Sequence, residues 1–368
     1  MTIGIALLGA GIFAQNQHLP AIDGCDLLEL KAVYSRSQAT AEAFVTKTGK
    51  TGLPVYFDEP ATPGKGLADL LARSDIAAVA VAMPINLQPQ AIRTALAAGK
   101  HVLSEKPVAN TVANARALIA HYASLPSAPL WGVAENYRYQ ASLHLAEEEV
   151  KKIGGTLVSF VLNSNKFVRP DGNYFNTAWR KNPTHPGGFL LDGGIHYVAS
   201  LRSLLAAAGA PPSKSNKITK LAGTMEQLLE ILPPADTVRN IAVTESGASG
   251  VVTMSFGTEF GCPLEISVTT TEGMVTWTPK KVTVATRNEA DLFNPHIVEH
   301  DCSPKNPAFP ADEGTGVKAE FRAFAANIAA GKKAVETRLS PAEALADLEL
   351  LEAMFDSGAA GLAAKVVP

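Results

Sequence analysis

The sequence predicts an α/β protein: an N-terminal doubly wound parallel sheet, then a C-terminal α/β domain with a large, mostly antiparallel open sheet. Three observations lead there. Residues 1–135 alternate short apolar runs with amphipathic stretches. After about Lys152 the chain turns to short segments rich in Val, Thr and Ile. With 368 residues there is room for two domains of ordinary size.

In the first part, the apolar runs are Ile3–Leu8, Leu30–Tyr34, Val55–Phe57, Ile76–Ala82, His101–Leu103 and Leu130–Ala134. Helix-like segments separate them, around Phe13–Ile22, Ala39–Lys47, Leu67–Ala72, Gln88–Ala98 and Ala113–Tyr122. Strands joined by such short helical crossovers must run parallel, with helices on both faces. Gly154-Gly155 then breaks a helix. Leu157–Leu162, Ile218–Leu221, Asn240–Val243, Gly250–Phe256, Leu264–Thr271, Met274–Thr278 and Lys281–Thr286 read as strands of a sheet with one solvated face. A helix near Asp192–Ala207 interrupts them. Two more close the chain at Gly316–Ala330 and Pro341–Asp356, the latter opened by Ser340-Pro341 with Glu343. Pro304, Pro307 and Pro310 mark a long loop between sheet and closing helices. The expected domains are residues 1–135 and residues 136–368, with the C-terminal helix free to pack back on the first.

Composition excludes several classes. Hydrophobic residues at 46% and charged residues at 18% suit a packed core rather than a disordered chain. The net charge of −3 and the lack of a long basic run speak against nucleic acid or a polybasic membrane contact as partner. Cys25, Cys262 and Cys302 are too few for a disulfide scaffold and fit a reducing compartment. No apolar run spans a bilayer. The opening MTIGIALLGAGIFA has no positive segment before it and reads as strand plus glycine turn rather than a signal peptide. Proline blocks the triplet Asn182-Pro183-Thr184 for glycosylation. A cytoplasmic protein is expected.

The first strand runs into Gly9-Ala10-Gly11-Ile12-Phe13-Ala14, a G-x-G-x-x-A turn between strand and helix. Gly9 permits the tight turn, Gly11 lets a pyrophosphate approach the backbone, and Ala14 allows close helix–strand packing. The helix start offers N–H groups to phosphate. This is the fingerprint of a dinucleotide-binding Rossmann domain. The second strand ends in Ser35-Arg36-Ser37, where an NAD enzyme usually carries Asp or Glu. An acid would repel a 2′-phosphate; Arg36 attracts one, and Ser35 and Ser37 can donate hydrogen bonds. NADP(H) is therefore expected over NAD(H), the bland alternative being that Arg36 is a solvated residue opening a helix.

The fifth strand leads into Ser104-Glu105-Lys106-Pro107. Carboxyl ends of strands line the ligand crevice of such sheets, so Lys106 is placed to meet a substrate oxygen, and Pro107 restricts its backbone. Whether Lys106–Pro107 is cis is open at this point. In the second half stands Gly187-Gly188-Phe189-Leu190-Leu191-Asp192-Gly193-Gly194-Ile195-His196. Its glycines permit close approach to a ligand. A helix starting near Asp192 puts Asp192 and His196 on one face. Histidine as a residue type suits the proton that accompanies hydride transfer.

Taken in this order, the GxGxxA turn, the Glu-Lys-Pro triplet and GGxxxDxGxH resemble the Gfo/Idh/MocA oxidoreductase family, over nearly the whole chain and closest to a fungal NADPH-dependent branch. The resemblance implies a Rossmann domain followed by a domain whose open sheet carries the substrate and often mediates oligomerisation, hence a homodimer or higher homo-oligomer. It implies Lys106 as polariser and positioner, His196 as general acid/base, and Asp192 as partner of substrate and histidine. Tyr197, next in the chain, is the candidate acid/base should His196 not serve. Glu135-Asn136-Tyr137-Arg138-Tyr139 and Trp179-Arg180 resemble family segments near cofactor and substrate, as does Pro84-Ile85-Asn86-Leu87-Gln88, in which Gln88 replaces the family's usual histidine. Glu105, Asn136, Trp179, Arg180, Pro84 and Gln88 are accordingly candidate cofactor contacts.

His296, His300 and Cys302, with Glu299 and Asp301, are zinc-ligand types. Asn294-Pro295 and Pro304 argue against a helix presenting the histidines together, and no metal is expected. The expected reaction passes a hydride between nicotinamide and a carbonyl or secondary alcohol of a sugar, polyol or related small molecule. The competing reading is a non-catalytic NADP-binding sensor of the same fold. Lys106 and His196 favour turnover, because a sensor needs no acid/base.

Overall fold

A computed structural model describes residues 2–58, 62–172, 175–183, 185, 187–309 and 314–368. Thr184 and Pro310, named above, lie outside them. The chain divides into two compact units, Met1–Asn136 with Val317–Leu345, and Tyr137–Gly316 with Ala346–Pro368. The segment Val317–Leu345 thus clusters with the first unit and not with residues 137–316.

In the first unit, β1 (Ile3–Leu8), β2 (Leu28–Tyr34), β3 (Val55–Tyr56), β4 (Ala78–Val81), β5 (His101–Glu105) and β6 (Trp131–Ala134) form a parallel sheet in the order β3-β2-β1-β4-β5-β6. The order reverses at β1, the topology of a dinucleotide fold. Ile5, Leu7, Val33, Val79, Val81 and Val102 are all fully buried. Helices cover both faces, so these strands read as unbroken apolar runs. The crossovers are α1 (Leu19–Asp23), α2 (Gln38–Thr48), α3 (Leu67–Leu71), α4 (Gln88–Ala97) and α5 (Val112–Ala123). Before α1 lies a π-helical turn, Ala14–His18.

The second unit opens with a 3-10 turn at Asn136–Tyr139, of which Tyr137–Tyr139 belong to it, and α6 (Ala141–Ile153). β7 (Leu157–Asn165) follows. Next come α7 (Ala178–Lys181) and α8 (Ile195–Ala207), then β8 (Ile218–Glu226), β9 (Thr237–Thr244) and β10 (Ser249–Ser255). β11 (Glu265–Thr270), β12 (Gly273–Thr278), β13 (Lys281–Thr286) and β14 (His296–Asp301) continue the sheet. The chain closes with α9 (Val317–Ala329, first unit), α10 (Pro341–Ala359) and β15 (Lys365–Val366). The strand order is β14-β13-β12-β11-β7-β10-β9-β8-β15, antiparallel except where β10 runs beside β7. β14 and β15 were not expected as strands: β14 is exposed almost throughout, so it lacks the alternation that marks a half-buried strand.

One face of this sheet packs on α6 and α8. Phe160, Leu162, Ile266, Trp277 and Val282 point into that interface and are buried, and Trp277 Nε1 donates to Ser142 Oγ on α6 at 3.1 Å. Neighbouring positions face the other way. The cross-strand row Ile241–Val251–Val161–Ser267–Thr276 stays on the uncovered face, with Ile241, Val251 and Val161 exposed. A buried charge cluster joins three segments: Asp347 on α10 accepts from both Arg138 and Arg202. Arg138 is 4% exposed, so this residue of the segment read as lying near the ligands is committed to holding α10. Satisfying one carboxylate with two guanidinium groups offsets the cost of its burial.

Candidate active site

The carboxyl end of the parallel sheet gathers the first group of candidates. Gly9 has φ +120, and a Cβ there would lie 2.2 Å from the Ala82 carbonyl oxygen. Only glycine lets β1 turn there beside β4. Gly11 is different, because a Cβ built on it meets nothing within 4 Å. That open approach beside the start of a helix fits a pyrophosphate, and Ile12 and Phe13 lead into the buried Ala14. Gln88 points the same way: it opens α4, is 1% exposed, and its Oε1 has no hydrogen-bond partner among the described residues. A buried amide oxygen of that kind fits a donor on a bound molecule. Pro84 lies half-buried just after β4.

At the end of β2, Arg36 is exposed and Ser35 half-buried. Ser37 has a local task. It caps α2, accepting from Thr40 N–H at 3.4 Å and pairing with Thr40 Oγ1 at 2.8 Å. Tyr34, one step earlier, donates to Asp58, and burial with that carboxylate pushes its phenol far up. Asp58 is thus held by a tyrosine at the end of β2.

Lys106 follows directly on β5 and is half-buried, and its peptide bond to Pro107 is cis. Glu105 Oε1 lies 2.7 Å from His18 Nε2, and the His18 ring is held edge-on by Phe13 at 5.2 Å. His18 is 1% exposed. It was missed in the sequence because no motif spacing ties it to Glu105. Asn136 is half-buried just past β6.

The second unit supplies the other group. Arg180 on α7 donates through Nε to Asp192 Oδ2 at 2.7 Å, and its guanidinium lies 4.2 Å over the Trp179 ring. Both charged side chains are largely buried. His185, 8% exposed, faces Asp192; burial pulls its pKa down while Asp192 opposes. His185 too escaped the sequence reading, since it falls outside the GGxxxDxGxH spacing.

Asp192 does not start the helix, as its sequence position suggested. Leu190–Gly194 is a π-helical turn leading into α8. Two of the surrounding glycines are required by packing within the protein. A Cβ on Gly187 would meet the Phe355 ring at 2.4 Å, and one on Gly193 the Phe256 ring at 2.7 Å. Aromatic side chains fill those places, and the wider π turn carries the acid.

His196 sits at the start of α8, half-buried, with Tyr137 stacked on it at 4.5 Å and 16°. The stack fixes the plane of the imidazole, leaving its edges to make hydrogen bonds. Tyr137 was read only as part of a segment. Tyr197 is 4% exposed and stacked on Phe256 at 5.8 Å, and burial pushes its phenol up, which suits a core residue better than an acid/base. His296 and His300 lie on β14, and among the described residues no group of three or more His, Cys, Asp or Glu is placed to hold a metal ion.

Residues 3–127 match the family model of the oxidoreductase NAD-binding Rossmann fold, and residues 150–366 that of the oxidoreductase C-terminal alpha/beta domain. The chain belongs to the Gfo/Idh/MocA oxidoreductase family. A relative in Fusarium mangiferae, dehydrogenase FPY6, is 45% identical over 366 residues, 99% of each chain. Among solved structures, an oxidoreductase of Thermotoga maritima matches with TM-score 0.81 and 26% identity, covering 100% of this chain and 99% of that one. Levoglucosan dehydrogenase, in complex with NADH and levoglucosan, matches with TM-score 0.79 and 19% identity over 100% of both chains. Members of this oxidoreductase family bind a nicotinamide dinucleotide, and the glycine turn and crevice residues described above fit one. Among the described residues of this member, no helix is long and apolar enough to cross a membrane.

Proposed function

We propose that this Gfo/Idh/MocA member is a cytoplasmic, NADP(H)-dependent oxidoreductase. It passes a hydride between nicotinamide and a carbonyl or secondary-alcohol carbon of a sugar, polyol or related small molecule. The observation that carries the catalytic reading is the half-buried Lys106 at the carboxyl end of β5 in an oxidoreductase fold. When bound, the nicotinamide supplies or accepts the hydride. The protein does the rest. Lys106 directs its ammonium at the substrate oxygen and stabilises the negative charge that grows there during reduction. His196, held flat by Tyr137, delivers the proton to that oxygen. Asp192, paired with Arg180, accepts a substrate hydroxyl. Asn136 and Trp179 complete the cofactor contacts, with Gly9, Gly11, Ile12, Phe13 and Ala14 at the pyrophosphate and Pro84, Gln88 and Glu105 along the crevice. The fold neighbour levoglucosan dehydrogenase holds levoglucosan in its complex, which supports the sugar or polyol class.

NADP(H) preference rests on Ser35-Arg36-Ser37, an exposed cation at the end of β2 with no acid in the triplet. Arg36→Ala is expected to raise KM for NADPH about 10–100-fold, the value of a charge-assisted hydrogen bond, while KM for NADH changes less than about 3-fold. Steady-state assays with both nucleotides check this, and equal losses reject the assignment.

The uncovered face of the second sheet supports assembly with a second copy of the chain. Ile241, Val251 and Val161 make an apolar row flanked by the hydroxyls of Ser267 and Thr276. Two such faces stacked together exclude water from residues that gain nothing by exposure. Val251→Glu places a charge in mid-row and is expected to convert a homodimer into monomer in sedimentation-velocity runs. A wild-type monomer removes the proposal.

A further inference from the structure

α9 packs against α1, the Ala14–His18 turn and β6. It carries Glu320, which is 0% exposed, and neither carboxyl oxygen has a hydrogen-bond partner among the described residues. Glu105 and Lys106 at the end of β5, and Glu135 just past β6, are its charged neighbours. His18 reaches the same place. Its ring lies 4.9 Å from that of Phe321, next to Glu320 in α9, while its Nε2 meets Glu105. Asp23 on α1 is engaged with Lys50 at 2.7 Å, and Lys318 and Arg322 flank Glu320 on its own helix.

Glu320 therefore shares its surroundings with two other carboxyl groups and one ammonium, and neither of its own oxygens is partnered among the described residues. An ionised carboxylate there has lost its water and faces two like charges; an uncharged acid suffers neither penalty. Burial first, then Glu105 and Glu135, push Glu320 well above the usual carboxyl range, with Lys106 opposing.

We propose that Glu320 is a positioning residue for Lys106: as an uncharged acid it leaves Glu105 and Glu135 to set the field on the ammonium, and placing a charge on it draws Lys106 away from the substrate oxygen. The role rests on the reading of Lys106 as polariser given above. Nothing in the family match assigns it, and no motif in the sequence marks it.

Two measurements test it. The first needs no turnover. The unfolded chain loses the Glu320 proton near the ordinary value of about 4.3, while the folded chain keeps it. The folded state then binds more protons, so this group's contribution to stability is full below that pH and falls as pH rises toward the folded value. Glu320→Gln removes the dependence. In denaturant titrations of the full chain, the wild-type unfolding constant should grow relative to that of Glu320→Gln by up to about ten-fold per pH unit above pH ~4.3. A pH-independent offset, or a wild type that gains on the variant as pH rises, overturns the proposal.

The second measurement is the alkaline limb of kcat/KM. It should move to higher pH by about one unit or more in Glu320→Gln. In Glu135→Gln it should move to lower pH, because Glu320 ionises more readily with one like charge removed. An unmoved limb in both leaves Glu320 a core residue and overturns the positioning role. Should Glu320→Gln fail to fold, the downward shift in Glu135→Gln decides. A fully active Lys106→Met defeats the reading of Lys106 instead, and leaves the stability result standing.

Discussion

Lys106→Met is expected to lower kcat about 10²–10³-fold while circular dichroism and Tm stay close to wild type. The magnitude is that of removing one preorganised donor from a developing oxyanion. Methionine keeps the length and apolar stem of lysine, so the half-buried site after β5 stays filled and the loss is one of charge. The effect should fall on kcat more than on KM, because negative charge on the substrate oxygen grows only on the way to the transition state. The measurement is oxidation of NADPH by a panel of small carbonyl compounds, followed at the nicotinamide absorbance band. A variant with wild-type kcat removes Lys106 from the chemistry.

His196→Ala is the second large effect, about 10²–10⁴-fold in kcat, the usual contribution of a positioned general acid or base. The geometry adds a sharper readout. Tyr137 stacks on the imidazole at 4.5 Å, so the truncated side chain leaves a flat slot beside an aromatic face. Added imidazole should enter it and restore a measurable part of turnover, saturably. Undiminished kcat in the variant would move the proton transfer to another residue. A loss that imidazole does not relieve, accompanied by lowered Tm, would make His196 a packing residue of α8.

Much of this protein was legible in its residues. The strands of the parallel sheet are buried on both faces, so each appears as an apolar run bounded by turn residues, and the structure shifts their ends by only a few positions. The strands of the second sheet alternate, with Val161 and Val251 outward and Leu162 and Val252 inward, and were legible as short Val-, Thr- and Ile-rich segments of a sheet with one solvated face. β14 was not, because its residues are exposed almost throughout and the pairing to β13 is carried by backbone groups, which leave no mark on the side-chain sequence.

The site divides in the same way. Gly9, Lys106, Asp192 and His196 lie in spaced motifs, and spacing is a property of the chain itself. His18 and Glu320 carry no motif, since each matters only through neighbours remote in sequence, Glu105 for the one and the ends of β5 and β6 for the other; Tyr137 was legible only within a segment, its role set by distant His196, and His185 lies near Asp192 in the chain but outside the motif spacing. The glycines of 187–194 show the reverse case. Their pattern was legible, but what they make room for, the rings of Phe355 and Phe256, was not.

By itself, then, the order of residues determined two sheets of opposite character, the nucleotide turn and the chemical types brought to the reaction, because periodicity, turn propensity and motif spacing act over a few residues at a time. Only the tertiary structure decided which charges are neutralised and which rings are held flat. Coulombic and packing forces depend on distance through space, and the fold alone brings Glu320 on α9 beside the Glu-Lys-Pro turn more than two hundred positions earlier in the chain.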